Sequence, residues 1–489
     1  TWHVTGHWFP MERYATMAMP RSTVHLVIGE RYDPAIPAAG GPQKQAGDYL
    51  YYSGRASHFA EGSWGIFRVF DELQGDLKPL PSREEIQKSA PSVCPADAPV
   101  KSFNVSAVDQ VIRYHEGAPG TMEVDLERKM LFENQQGKIY VLDEDRGRVK
   151  AGELKPSPLT LHVNVGDCVK INLKNEMAKE RAGFHVDMMA FDPKDSFGAN
   201  VGNNPGDQTI APGQSKTYTY FAHPEYGELA ALIQDWGNVV ENPRNGLFGS
   251  IIVGPKGSSY RDPVTGNDIT MKSSWRADVL VDRTIPGNES RKNYRDFSLM
   301  FQDEDNIVGV SFMPYIQQVA GITAVNYRSE PTAYRMEKGC DVSEVFSCVK
   351  TGDTPSTPLL QAHVGDPVAV HVLGAFSEQV QLFTVDGHEW PHEPYMQGAD
   401  QVSTMEFGGS EIINAYLTGG AGGPNKIVGD YMWKNQRPGF ANAGQWGLFK
   451  VLPTGDQRVL PLTPQAPSSQ KAERGNDNGS VSRTSMVGR

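Results

Sequence analysis

Apolar and polar positions alternate in short runs along the chain, and no long uniform helical period runs through it. Alternation puts successive side chains on opposite faces, so each run predicts a strand with one buried side. The pattern predicts strands over residues 101–107, 113–115, 138–141, 159–165, 168–174, 217–222 and 249–253. Only residues 229–233 and 83–88 read as helical, and both stretches are short. Residues 164–167, Asn-Val-Gly-Asp, join two alternating runs and predict a hairpin-like turn, which His363-Val-Gly-Asp366 repeats before the run at 367–373.

The runs are organised by an internal repeat, the signature that decides the reading of a whole fold. Residues 429–451 (GDYMWKNQRPGFANAGQWGLFKV) and 47–69 (GDYLYYSGRASHFAEGSWGIFRV) match without a gap, and 232–253 (LIQDWGNVVENPRNGLFGSIIV) is a looser third copy. Upstream, WHVTGHWFP at 2–10 matches FTVDGHEWP at 383–391. The strand-like stretch 22–28 is paired on composition with 411–417, and AAGGP at 38–42 with GGAGGP at 419–424. The first copy has no counterpart of the front half that precedes the last one, so residues 1–70 read as the C-terminal half of a domain. Residues 71–97, polar and Pro-rich, read as a linker; 98–255 and 256–455 as two further domains; 456–489 as a disordered tail. Short strands, a repeated unit and long connections together predict an all-β chain of tandem Greek-key sandwiches.

Composition narrows the partners. A hydrophobic content of 39% suffices for ordinary cores, and Gly 50 and Pro 34 suit turn-rich β-structure. A net charge of −12 argues against nucleic acid and favours cations. No apolar run approaches the ~20 residues that span a bilayer. Four cysteines are present; disulfides Cys340–Cys348 and Cys94–Cys168 would point to an oxidising, extracytoplasmic compartment, four buried thiols being the alternative. No phosphate-cradling glycine loop, Gly-x-Ser-x-Gly or His-Glu-x-x-His occurs.

Several phrases resemble the multicopper oxidases, a family of tandem cupredoxin domains, and in particular its large manganese-oxidising and ceruloplasmin-like bacterial members. They are GLFGSIIVGPKGSSYRDPVTG at 246–266, TIAPGQSKTYTYFA at 209–222, FMPYIQQVAGITAVNYRSEP at 312–331 and the two GDY blocks. The resemblance implies cupredoxin-like sandwiches, copper as cofactor and an oxidoreductase ancestry. The ligand blocks depart from it. Where the family carries His-Cys-His and a last His for blue copper, this chain has Tyr52-Ser53-Gly54 with His58, and Lys434-Asn435-Gln436 with Phe440. The four His-x-His pairs of the trinuclear cluster read His3-Val-Thr5, His185-Val-Asp187, Gln234-Asp-Trp236 and Thr384-Val-Asp386. His7 and His388 match a family histidine that does not bind copper.

One remnant remains. The resemblance puts His3 and His185 on the two positions that share a type 2 copper, with Asp187 and Asp235 close by as oxygen donors; two imidazoles and oxygen suit tetragonal Cu(II). His388, Glu389, His392 and Glu393 form a second, weaker divalent-ion candidate. Trp236 reads as filling the space of a lost ligand, and His115, His162, His363 and His371 as structural. Three functions are open: a scaffold or subunit with degenerate copper sites in a larger secreted assembly; an active oxidase, of metal ions among other substrates, whose copper lies in a preceding part or a partner chain that also completes residues 1–70; or a mononuclear protein holding at most one copper at His3 and His185.

Overall fold

The computed structural model describes residues 1–462 apart from 12–16, 79, 82–87, 118–120, 124–128, 305–320 and 353. The helical reading at 83–88, much of the 312–331 phrase and the tail beyond 462 therefore lie outside the described residues. The rest is all-β, built largely of facing sheets.

In the middle sandwich, one sheet runs Lys138–Leu142, Val100–Asp109, Cys168–Asn175, Ser215–Phe221 and Ala190–Phe191, and the facing sheet Leu159–Asn164, Phe248–Gly254, Leu229–Gln234 and His185–Val186. In the last sandwich, a six-stranded sheet built on Tyr294–Glu304 and Val368–Ser377 faces Leu360–His363, Trp446–Leu452, Gly429–Asn435, Gln381–Val385 and Thr404–Phe407. The first sheet is single: Thr23–Val24, Trp2–Val4, Gly47–Ser53 and Trp64–Val69. Phe103, Ile171, Leu161 and Ile251 fill the middle core, to which Tyr49, Leu50 and Tyr52 of the first sheet add. A separate apolar cluster, with Ile112, Leu232 and Phe248 on one side and Met300, Leu373 and Phe376 on the other, joins the middle and last sandwiches.

The predicted strands all form, most within a residue or two of the expected ends. Three local readings are corrected. Residues 229–233 are a strand, because Leu-Ala-Ala-Leu-Ile is buried on both faces between Phe248–Gly254 and His185–Val186, and central burial overrides helix propensity. The eight-residue helix Asp143–Lys150 carries acidic residues in its first turn and basic ones in its last, a charge order suited to the helix dipole. The Asn-Val-Gly-Asp turn is not a hairpin. Leu159–Asn164 and Cys168–Asn175 lie in different sheets, and the turn carries the chain across the sandwich.

That corner recurs atom for atom. Asn164 N–H and His363 N–H donate to the Asp167 and Asp366 carboxylates at 2.8 and 3.0 Å, and Gly166 and Gly365 take the left-handed backbone the turn requires (φ +92° and +83°). The repeat is equally exact around Gly-His. His7 Nδ1 donates to Thr5 O (2.8 Å) and its Nε2 accepts from Gly40 N–H (2.8 Å); His388 does the same with Asp386 O (3.0 Å) and Gly422 N–H (3.0 Å). One pairing is corrected: His3 lies opposite Thr23 and Thr384 opposite Thr404, so Ser22-Thr23-Val24 corresponds to Ser403-Thr404-Met405 and not to 411–417.

Cys94 is bonded to Cys168, and Cys340 to Cys348. No helix among the described residues is long and apolar enough to cross a membrane.

Candidate functional site

His3 stands on Trp2–Val4 opposite Tyr52, and His185 on His185–Val186 opposite Gln234. The first sheet packs on the middle sandwich so that the two imidazoles, 182 positions apart in the chain, converge on one oxygen. His3 Nε2 donates to Asp187 Oδ1 at 3.0 Å and His185 Nε2 to the same oxygen at 2.9 Å. All three side chains are buried. The other ring nitrogens are anchored: His185 Nδ1 donates to Phe197 O at 2.7 Å, and His3 Nδ1 pairs with Thr23 Oγ1, which itself donates to Ser410 O at 3.1 Å. Both nitrogens of His185 thus face acceptors. Burial opposes a charge on Asp187, but the two imidazoles outweigh it and hold the carboxyl well below its usual range. Its second oxygen, Oδ2, is buried without a hydrogen-bond partner.

The surroundings close the site. Tyr52 OH donates to Gln234 Oε1 (2.9 Å), and Gln234 Nε2 donates to Ser410 Oγ (2.7 Å), so one bond chain links the first sheet, the middle sandwich and the last one. Trp236 meets Tyr52 edge to face at 5.0 Å and Phe59 at 5.4 Å, and lies edge-on to His185 at 6.1 Å. In the last sandwich the corresponding place holds an ion pair, Lys434 Nζ to Asp386 at 2.9 and 3.1 Å.

Of the expected ligands, His3, His185 and Asp187 are brought together; Asp235 is not. Its Oδ1 accepts from Gly183 N–H (2.7 Å), and its Oδ2 from Gly237 N–H (2.9 Å), Asn238 N–H (3.1 Å) and Asn242 Nδ2 (2.8 Å). Burial raises its carboxyl to about 6 against the pull of these donors. Asp235 is the clip of a loop. The His388–His392 candidate is likewise engaged in the fold. Both nitrogens of His388 are committed to backbone, and Glu393 is taken by Met19 N–H (2.8 Å) and Arg21 (3.1 Å). Among the described residues, no three His, Cys, Asp or Glu groups already stand at metal-holding geometry; at His3 and His185 the Asp187 oxygen itself fills the point of convergence. Thr23 and Ser410 escaped the reading from sequence, although the shared Ser-Thr at 22–23 and 403–404 marks Thr23 as part of the repeat.

A second buried set lies between the middle and last sandwiches. His371 Nε2 donates to Asp296 Oδ2 (3.1 Å) and its Nδ1 to Asn414 Oδ1 (2.6 Å), while neither nitrogen of the buried His162 nearby has a partner. Burial lowers His162 from 6.5 to about 4, against the attraction of Asp296 and with the repulsion of His371 and Lys101. The unfolded chain therefore binds more protons between those values. The stability that depends on a neutral His162 is whole above pH 6.5 and is lost as the pH falls toward 4, by about 3 kcal/mol. The expected result is that His162→Leu, compared with the parent in urea melts across this range, loses that share of the acid slope. Parallel slopes for the two proteins would refute it.

No protein-family model matches the chain, and no curated protein matches it. Solved structures do. The chain is similar to a structure described as a multicopper oxidase (16% identity, 74% of this chain and 92% of that one, TM-score 0.41). It is similar as well to the Blue Copper Oxidase from Nitrosomonas europaea (16%, 72% and 85%, 0.41) and to a copper nitrite reductase from the same organism (15%, 74% and 96%, 0.42).

Proposed function

We propose that this chain is a multicopper-oxidase-like protein whose copper sites have been converted into structural contacts, and that it serves as a non-redox scaffold or subunit of an extracytoplasmic assembly. The observation that carries this reading is Asp187 Oδ1, set where both Nε2 atoms point. A carboxylate there supplies the negative partner that two buried imidazoles need, and it does so across the seam between the first sheet and the middle sandwich. Gln234 and Tyr52 are hydrogen-bonded to each other, and Lys434 is paired with Asp386. The sequence motifs support the family, and the two disulfides support the compartment.

One observation favours a second reading, a mononuclear metal protein. Both rings are fixed through Nδ1, by a backbone carbonyl and a hydroxyl, which is how ligating imidazoles are commonly held, and Asp187 Oδ2 is buried and unpartnered. The donor set suits copper(II): His3 and His185 would hold it through Nε2 once Asp187 turned, and the ion would supply Lewis acidity or a one-electron couple. Binding would release the Nε2 protons.

Copper(II) loading followed by desalting, with metal analysis and electron paramagnetic resonance, separates the two. The scaffold reading expects no copper retained and an unchanged melting curve. One copper per chain with a type 2 spectrum, proton release on binding and loss of both in His185→Ala would overturn it in favour of the second.

A further inference from the structure

The two long copies of the repeat have nearly the same sequence and opposite exposure. In Trp446–Leu452 every residue is buried, whereas Trp64–Val69 alternates between exposed and half-buried. Position by position, Trp446 is 0% exposed and Trp64 50%, Leu448 8% and Ile66 38%, Trp433 0% and Tyr51 41%. Residues that serve as core in one copy are therefore exposed on the other, Tyr51 on one face of the edge and Trp64 and Ile66 on the opposite face.

The chain itself shows what covers such a patch. Trp446–Leu452 pairs in parallel with Leu360–His363, Leu360 opposite Phe449, and Phe248–Gly254 pairs in parallel with Leu159–Asn164, Leu161 opposite Ile251. Phe449 and Ile251 are the same position of the repeat, so the register is shared. It is locked by the same bonds: Val364 N–H to Leu452 O (2.8 Å) and Val165 N–H to Gly254 O (3.0 Å), then Gly365 N–H to Ala421 O and Gly166 N–H to Ala222 O, both 2.8 Å. After the turn, the next strand crosses to the facing sheet and covers the apolar side. Among the described residues, Trp64–Val69 ends its sheet with no strand paired on its outer edge. Phe70 and Ala39, the counterparts of Leu452 and Ala421, are exposed.

We infer that the Trp64–Val69 edge is a docking site for a parallel strand of the pattern Leu-x-Ala/Val-x-Val-Gly-Asp. Its Leu lies opposite Phe67, its turn Val N–H bonds Phe70 O, its turn Gly N–H bonds Ala39 O, and its following strand covers the face that carries Tyr51 and Phe67, as Val368–Ser377 covers Trp433 and Phe449. Main-chain pairing provides attachment, and the turn provides register and specificity. The competing occupant is a second copy of this chain pairing edge to edge.

The test titrates the full chain with a synthetic peptide of its own residues 358–373 (PLLQAHVGDPVAVHVL), up to millimolar, beside a scrambled peptide of the same composition. Hydrogen exchange over 64–70 is read. The expected result is exchange slowed about tenfold or more for the native order only. No slowing, equal slowing by the scrambled peptide, or an edge already protected in a dimer of the chain alone would each overturn the proposal.

Discussion

Replacing Asp187 by Leu is expected to lower the unfolding free energy by roughly 3–5 kcal/mol, the sum for two buried imidazole donors left without an acceptor at about 1–3 kcal/mol each. The size follows from what is left behind. His3 Nε2 and His185 Nε2 both lose their acceptor, and no water-exposed surface is within reach of side chains this deeply buried. Leu fills much of the volume, so the loss is electrostatic and not a cavity. Asp187→Asn keeps an acceptor oxygen but removes the charge, and is expected to fall between parent and Leu. Urea midpoints for the three proteins check the order. Leu equal to the parent would mean that the bridge contributes nothing to the seam.

Removing the Cys94–Cys168 disulfide is expected to cost about 4 kcal/mol, and removing Cys340–Cys348 about 2.5 kcal/mol, in the loop-entropy description. The difference lies in what each closes. The first spans 74 positions and ties the segment after the first sheet to a central strand of the middle sandwich; the second spans 8. Double Cys→Ser variants melted in urea give the two values. A larger loss for the short loop would contradict the entropic account and point to native contacts around Cys340. Under reducing conditions the parent should match the variant lacking both.

Much of the fold was legible because strand patterning is local. The run at 168–174 alternates within the residues that form the strand, and the twin blocks at 47–69 and 429–451 share enough sequence to pair His7 with His388. Residues 229–233 misled because a strand buried on both faces does not alternate. The Val-Gly-Asp turn misled because the same residues serve a hairpin or a corner, and only the sheet each flanking strand joins distinguishes the two.

The candidate site was half legible. His3, His185 and Asp187 could be named from motif positions, yet their convergence on one oxygen depends on how the first sheet docks. Asp235 looked equivalent on the page, and the loop's backbone N–H groups claimed it.

By itself, then, the sequence determined the all-β class and the repeated unit, since residue identity and short-range period need no partner. Tertiary structure alone decided which carboxylate faces the imidazoles, that Thr23 and Ser410 complete the network, and that the same strand is core at 446–452 and open edge at 64–69. Each of these depends on contacts between segments far apart in the chain, which no local pattern encodes.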